Sequence, residues 1–448
     1  MPVRVCQGRW EDEIGRQRSE AGQVARLFCL HERCISCVRH CWGIIQGMNI
    51  VMIGPFAFTP KGTVSARMFF AARALVKRGH HVTILMPPYD NLADSGREWT
   101  QDGVRLVNMV IRRITPTTPL AVAWRMARRA LALKPDVVHV FKPIGYIGLA
   151  GLFLSGRVAS HAPVVLDHDD WEGRGGWADI NPYPPLWRRF FIWQEADMLR
   201  RAATLTVASR TLQTQVWGSG IHPSRVFYVP NGPDESLRTR PQVSAQKRWQ
   251  IRAELDVGDA PLAIYTGQIP HGNDLDQALY AVEQIRPRIC ELRLAILGTG
   301  DGLPDLRANV VRRKLERAVI LKAGWMDRSL VPDYLAAADL AIYPYRDSLV
   351  NRSKCSAKIV EYMAMGLPIV ASRVGQNVEY IEHGTSGLLA EPGDADSFAQ
   401  MMLAVLSDPP KARAMGEAAR QRVWARFDWD RLVETVEQAY RMAREHDK

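Results

Sequence analysis

No apolar run in this 448-residue chain approaches the ~20 residues needed to cross a bilayer, so no transmembrane helix is expected. The opening stretch, Met1 to Trp10, lacks the apolar centre of a secretory leader, which points to a cytoplasmic protein. Cysteine is scarce and lopsided. Of seven, Cys6, Cys29, Cys34, Cys37 and Cys41 precede the first obvious strand, and only Cys290 and Cys355 follow it. An odd count without a leader argues for reduced thiols rather than a disulfide framework. The run from Cys29 to Cys41, with His31 and His40 interleaved, matches no zinc pattern closely. Residues 1–47 therefore read as a poorly ordered extension to a domain opening at Met48. Acidic residues are the minority, 47 against 58 Lys and Arg, and the +11 balance favours anionic partners: nucleotides, acidic lipid surfaces or nucleic acid. Helix-turn-helix, RNP and zinc-finger signatures are missing, which argues against nucleic acid as the partner.

What is present is globular: 47% hydrophobic, 23% charged, and long enough for two domains. Short apolar runs at 49–54, 81–85, 136–140, 163–166 and 204–208 are separated by helix-length segments, and 226–233 closes the series. That alternation predicts parallel βαβ units in one doubly wound domain. A polar connection near 234–258 follows, and the pattern restarts at 262–266, 292–297, 319–321, 340–343 and 368–371. The expectation is an α/β chain of two tandem Rossmann-like domains, 48–232 and 233–427, with a last helical segment at 428–448. Open α/β sheets bind ligands at the carboxyl ends of their strands. The segments 54–62, 167–170, 267–273 and 298–301 should then face one crevice.

The stretch 357–372 is the most informative. It reads as a short helix capped by Ser353 or Ser356 and stopped at Gly366, feeding a buried strand. Lys354 and Lys358 lie at its start, where the helix dipole is already positive and each cation costs about 0.3–1 kcal/mol. Such cations are tolerated where an anion completes the site. Glu361 shares the face of Lys358 and would accept sugar hydroxyls. Phosphate beside hydroxyl is the signature of a sugar nucleotide.

From Met48 to Phe427 the chain resembles the retaining, nucleotide-sugar-dependent glycosyltransferases of the GT-B fold, group 1 (GT4). The resemblance rests on Pro60-Lys61-Gly62, Arg78-Gly79-His80-His81-Val82, Pro135-Asp136-Val137-Val138-His139 and Val229-Pro230-Asn231-Gly232 in the first half. In the second half it rests on Leu297-Gly298-Thr299-Gly300, Lys358 to Pro368, and Gly384 to Leu389. It implies that Gly62, Gly267, Gly298, Gly300, Ser353, Lys354, Lys358 and Glu361 bind the donor, with Lys358 on phosphate and Glu361 on ribose. His168 and Asp169 match the family's His-Asp by position and would face acceptor and sugar. With Lys358 they are the expected catalytic residues. The resemblance also implies no metal and no cofactor beyond the nucleotide-sugar co-substrate, and a last helix that braces the first domain. Two departures stand out: Ser353 occupies the place of a frequent glutamate, and the loop 267–274 lacks the usual Arg and Lys. Arg346 and Arg352 are then further candidates for phosphate charge.

Asp167-x-Asp169 admits a rival reading as a metal-binding pair of the other glycosyltransferase fold, which has no second tandem half. The run from Pro184 to Trp193 mixes aromatics with Arg188 and Arg189. It suits either a helix burying Trp187, Phe190 and Phe191 against the sheet or contact with an anionic membrane or lipid-linked acceptor. The acceptor is expected to be a glycan, a lipid-linked glycan or a small molecule. A nucleotide-sugar epimerase and a non-catalytic basic binding protein are the alternative functions.

Overall fold

A computed structural model describes all residues except 1–46, 60–62, 156–161, 241–242, 270–273, 325 and 447–448. The cysteine-bearing extension, apart from residue 47, and Gly62 with its loop lie outside the described residues. Asn49–Lys448 forms one unit, distinct from Met1–Met48.

The first sheet is built from β1 (Asn49–Ile53), β2 (His81–Met86), β3 (Glu98–Gln101), β4 (Val104–Asn108), β5 (Val137–Phe141), β6 (Val164–His168), β7 (Thr204–Val207) and β8 (Val226–Tyr228). Their order is β3-β4-β2-β1-β5-β6-β7-β8, parallel except for β3. The second comprises β9 (Leu262–Thr266), β10 (Arg293–Gly298), β11 (Val319–Ala323), β12 (Leu340–Tyr343), β13 (Ile369–Ser372) and β14 (Leu388–Ala390), in the order β11-β10-β9-β12-β13-β14. All of its neighbours are parallel. Strands β5 and β9 are buried throughout, as expected for apolar runs covered by helices on both faces. Each sheet reverses its winding once, at β1/β5 and at β9/β12, and such switch points open a crevice at the carboxyl edge.

Three strands escape the sequence reading. β3 and β4 form an edge hairpin whose turn, Asp102-Gly103, has positive φ at both residues (49° and 77°), the geometry of a type I′ turn. β14 is only three residues long.

The last helix, Trp429–His446, packs across the first sheet. Glu437 accepts from Arg78 (Nε–Oε1 2.6 Å) and lies 3.1 Å from His80 Nε2. Burial alone would raise the Glu437 carboxyl, but the His80 and Arg78 hydrogen bonds pull it down to about 2. Farther along, Tyr440 donates to His139 Nδ1 (2.8 Å), and His139 Nε2 donates to Thr206 Oγ1 (3.2 Å). Thr206 in turn donates to Asp167 Oδ2 (2.6 Å). Burial lowers His139 to about 4, so the ring is neutral and each hydrogen in this chain has one direction.

Candidate active site

Two clusters of expected site residues sit at the carboxyl ends of strands, one in each half. The corner expected to bind the donor, in the second half, is built on glycine. The end of β9 places Gly267 at φ 137°, and a Cβ there would overlap the side-chain stem of Lys358. A Cβ on Gly298, at the end of β10, would overlap the Gly267 carbonyl, and one on Gly300 would overlap that of Ile269. Only glycine permits these approaches. Lys358 belongs to the helix Ala357–Ala364, and Ser356 caps it, its Oγ accepting from Lys358 N at 3.2 Å. Gly366 ends the helix at φ 70°, with Leu367 N returning to Tyr362 O at 3.1 Å.

Burial lowers the Lys358 ammonium below its ordinary value; Glu361 opposes the shift and Arg328 adds to it. Arg328 NH2 donates to Glu361 Oε1 at 2.7 Å. This arginine, on the loop after β11, was not singled out by any sequence motif. Its guanidinium also lies over Phe70 of the first half, 5.8 Å from the ring centroid. Lys354 spans the crevice too: Nζ sits 5.2 Å from the Trp177 ring, 4.8 Å from the Tyr345 ring, and donates to Asn351 Oδ1. The other expected donor residues are placed differently. The Ser353 hydroxyl donates to Val350 O (2.8 Å) inside its own turn. Arg352 pairs with Asp347 (NH2–Oδ2 2.6 Å) at the surface, and Arg346 N donates to Asp274 Oδ1 (3.2 Å).

The corner expected to face the acceptor, in the first half, is charged and buried. Asp167 is held by Arg67 through two 2.8 Å hydrogen bonds, with side chains 2% and 4% exposed. Burial would raise the Asp167 carboxyl, but the guanidinium keeps it below its usual range. The same guanidinium donates to Asn231 Oδ1 (3.0 Å) and Val229 O (2.9 Å), where the chain leaves the first domain. Both Asp167 oxygens accept from Arg67, and among the described residues no group of three or more His, Cys, Asp or Glu side chains is placed to hold a metal ion. His168 is fully buried; Nε2 donates to Gln215 Oε1 (2.9 Å), leaving Nδ1 as an acceptor with no partner.

Beside it, Lys142 occupies a left-handed conformation (φ 75°) just past β5. Its ammonium reaches Asp170 (2.7 Å), Glu172 (2.8 Å) and Asp169 (3.3 Å). Register explains the meeting: β5 pairs with β6 so that Phe141 lies opposite Asp167, and Lys142 N donates to Asp167 O at 3.0 Å. Burial pushes Glu172 up to about 7, against the pull of Lys142, and it also raises Asp169.

Two tandem Rossmann-like halves define the GT-B fold, and comparison with known proteins agrees. Residues 62–232 match the glycosyl transferase 4-like domain, and residues 260–408 match the glycosyl transferases group 1 domain. The chain is 26% identical over 356 residues to the GDP-mannose-dependent alpha-(1-6)-phosphatidylinositol monomannoside mannosyltransferase of Mycolicibacterium smegmatis, covering 79% of this chain and 87% of that protein. It is 29% identical over 393 residues to the Mycobacterium tuberculosis enzyme of that name, covering 86% and 96%. Among solved structures, Anabaena HepE in complex with UDP and glucose superposes with a TM-score of 0.66 at 18% identity, covering 87% and 98%. WaaG, a glycosyltransferase involved in lipopolysaccharide biosynthesis, gives 0.60 at 16%, covering 87% and 98%. These structural likenesses show the shared fold.

The protein belongs to the group 1 glycosyltransferases of the GT-B fold, and it is a transferase of glycosyl groups. The relatives named above are GDP-mannose-dependent mannosyltransferases, which favours transfer over the epimerase and nucleic-acid alternatives.

Proposed function

We propose that the protein transfers a sugar from a nucleotide diphosphate sugar to a hydroxyl of a glycan or lipid-linked glycan, with retention of configuration. The observation that carries this reading is the donor-side corner, where Lys358 lies across Gly267 and the Arg328–Glu361 pair closes the same helix face. In this reading the Lys358 ammonium and the capped helix start stabilise the departing diphosphate, so that no metal is needed. Glu361 exchanges Arg328 for ribose hydroxyls. Gly62, Gly298 and Gly300 let the backbone approach the nucleotide, and Lys354, just before the Lys358 helix, adds charge from the same half. His168 Nδ1 and Asp169 accept hydroxyl hydrogens of the sugar and acceptor. Retention follows from the family resemblance, with the leaving phosphate taking the acceptor proton.

No helix among the described residues is long and apolar enough to cross a membrane. We place the enzyme in the cytoplasm, in peripheral contact with anionic membrane through the helix Pro185–Arg201. A thermal-shift screen against UDP, GDP, ADP and TDP sugars tests the donor reading, since a ligand that binds only the folded state raises the midpoint. One base class should stabilise the protein selectively; no shift from any of them refutes the assignment. The anomeric configuration of the product, read by NMR, tests retention.

A further inference from the structure

The helix Pro185–Arg201 does not bury its aromatic side against the sheet. Leu186 is 79% exposed, Trp187 51% and Trp193 47%, while Phe190 and Phe191 are half-buried. The rings touch in series. Tyr183 meets Phe191 edge-on (centroids 5.0 Å), Phe191 meets Trp187 (6.0 Å), Trp187 meets Phe190 (6.0 Å), and Phe190 meets Trp193 (5.7 Å). A contiguous exposed aromatic surface of this kind marks a binding site rather than chance exposure. Its inner end adjoins the Lys142 nest: Glu195, on the same helix, accepts from Glu172 N at 2.9 Å. Arg188, which donates to Asp179, and Arg189 flank its outer part.

The nest itself has unmet capacity. Three carboxylates share one ammonium, and the buried Asp169 Oδ1, 3.3 Å from Lys142 Nζ, accepts no hydrogen bond. When ionised, Asp169 only accepts, so its missing partner must bring O–H or N–H groups, and a phosphate at that position would meet like charge. We propose that the acceptor is an amphiphile. Its hydroxyl-rich, unphosphorylated head binds Asp169 and Asp170 beside Lys142, and its hydrocarbon tail lies along Tyr183, Phe191, Trp187 and Trp193. This rests on the glycosyltransferase reading only in naming the ligand an acceptor.

Hexyl, heptyl and octyl β-glucosides, kept below their critical micelle concentrations, are suitable probes, with octyl phosphate as the anionic counterpart and tryptophan fluorescence as readout. Each added methylene should tighten binding about fourfold, and octyl phosphate should bind at least about tenfold more weakly than octyl glucoside. Trp187→Ala should flatten the chain-length series. Asp169→Asn should weaken all three glucosides and leave the series parallel. Affinity independent of chain length, octyl phosphate binding as tightly as octyl glucoside, or a full slope in Trp187→Ala would each overturn the proposal. So would a Trp187-dependent dimer in sedimentation, which assigns the rings to a second copy. Flotation with anionic vesicles but no glucoside binding would also overturn it, assigning the rings to the bilayer alone. Nucleotide-sugar thermal shifts report separately on the donor reading, so the two failures are distinguishable.

Discussion

Replacing Lys358 by Met separates a ligand-binding lysine from a structural one. Methionine keeps an unbranched stem to lie across Gly267 and removes only the charge. In the folded protein without ligand, burial holds the ammonium below its ordinary value, so the unfolded chain binds that proton more tightly than the native one. Ionised Lys358 is therefore a cost to folding at neutral pH. Lys358→Met should unfold at the same temperature as the parent or higher. Donor binding should move the opposite way. A charged hydrogen bond to phosphate is worth about 1.5–3 kcal/mol, which weakens affinity about 13- to 160-fold.

The measurement is a pair of melting curves with and without the stabilising nucleotide sugar, followed by calorimetric titration. Opposite signs for stability and affinity are the diagnostic result, the usual trade-off at a site built for a partner. A lower midpoint with unchanged donor affinity would show that Lys358 is a packing residue, and the donor-side corner would lose its role.

Gly267→Ala should cost about 1–3 kcal/mol of stability through its positive φ and weaken donor binding at least as much as Lys358→Met, because the new Cβ displaces the lysine stem; calorimetry with the same donor checks it. Asp167→Asn should destabilise by about 3–5 kcal/mol in urea titration, since it strands the buried Arg67 charge. Glu437, at about 2 against an unfolded value near 4.5, stabilises the protein above pH ~4.5 and loses that contribution as pH falls toward 2. Glu437→Gln should remove up to about 3 kcal/mol at pH 7 and narrow its deficit against the parent below pH 4, read from urea midpoints across pH.

Much of the fold was legible because fully buried parallel strands are short apolar runs, and β1, β5, β9 and β12 are such runs bounded by polar loops. The β3 segment, Glu98-Trp99-Thr100-Gln101, hid because an exposed edge strand carries polar side chains, although Asp102-Gly103 is a strong hairpin signal. Glycines 267 and 298 and Lys358 were legible as motifs and are packed together in the structure. Arg328 was not, since its pairing with Glu361 depends on where the β11 loop returns. Lys142 was overlooked for a similar reason: only the β5–β6 register sets it against residues 169–172. The aromatic helix was ambiguous because its period suits burial and exposure alike, and the structure resolves Trp187 as exposed.

The two corners differ in a way that suits exchange on one side and permanence on the other. Arg67–Asp167 is almost wholly buried, and separating its partners would leave an unpaired charge costing several kcal/mol, more than a transient ligand contact returns. It is a fixture, joining the first helix of the domain, the end of β6 and the exit at Asn231. Arg328–Glu361 has side chains 43% and 20% exposed, and pairs of that kind contribute only about 0–1 kcal/mol. Ribose hydroxyls on Glu361 can replace it at little cost, and the released Arg328 keeps its charge beside Lys358. In the proposed function a donor enters by exchanging a weak pair, while the carboxylates assigned to the acceptor stay where β5 and β6 hold them.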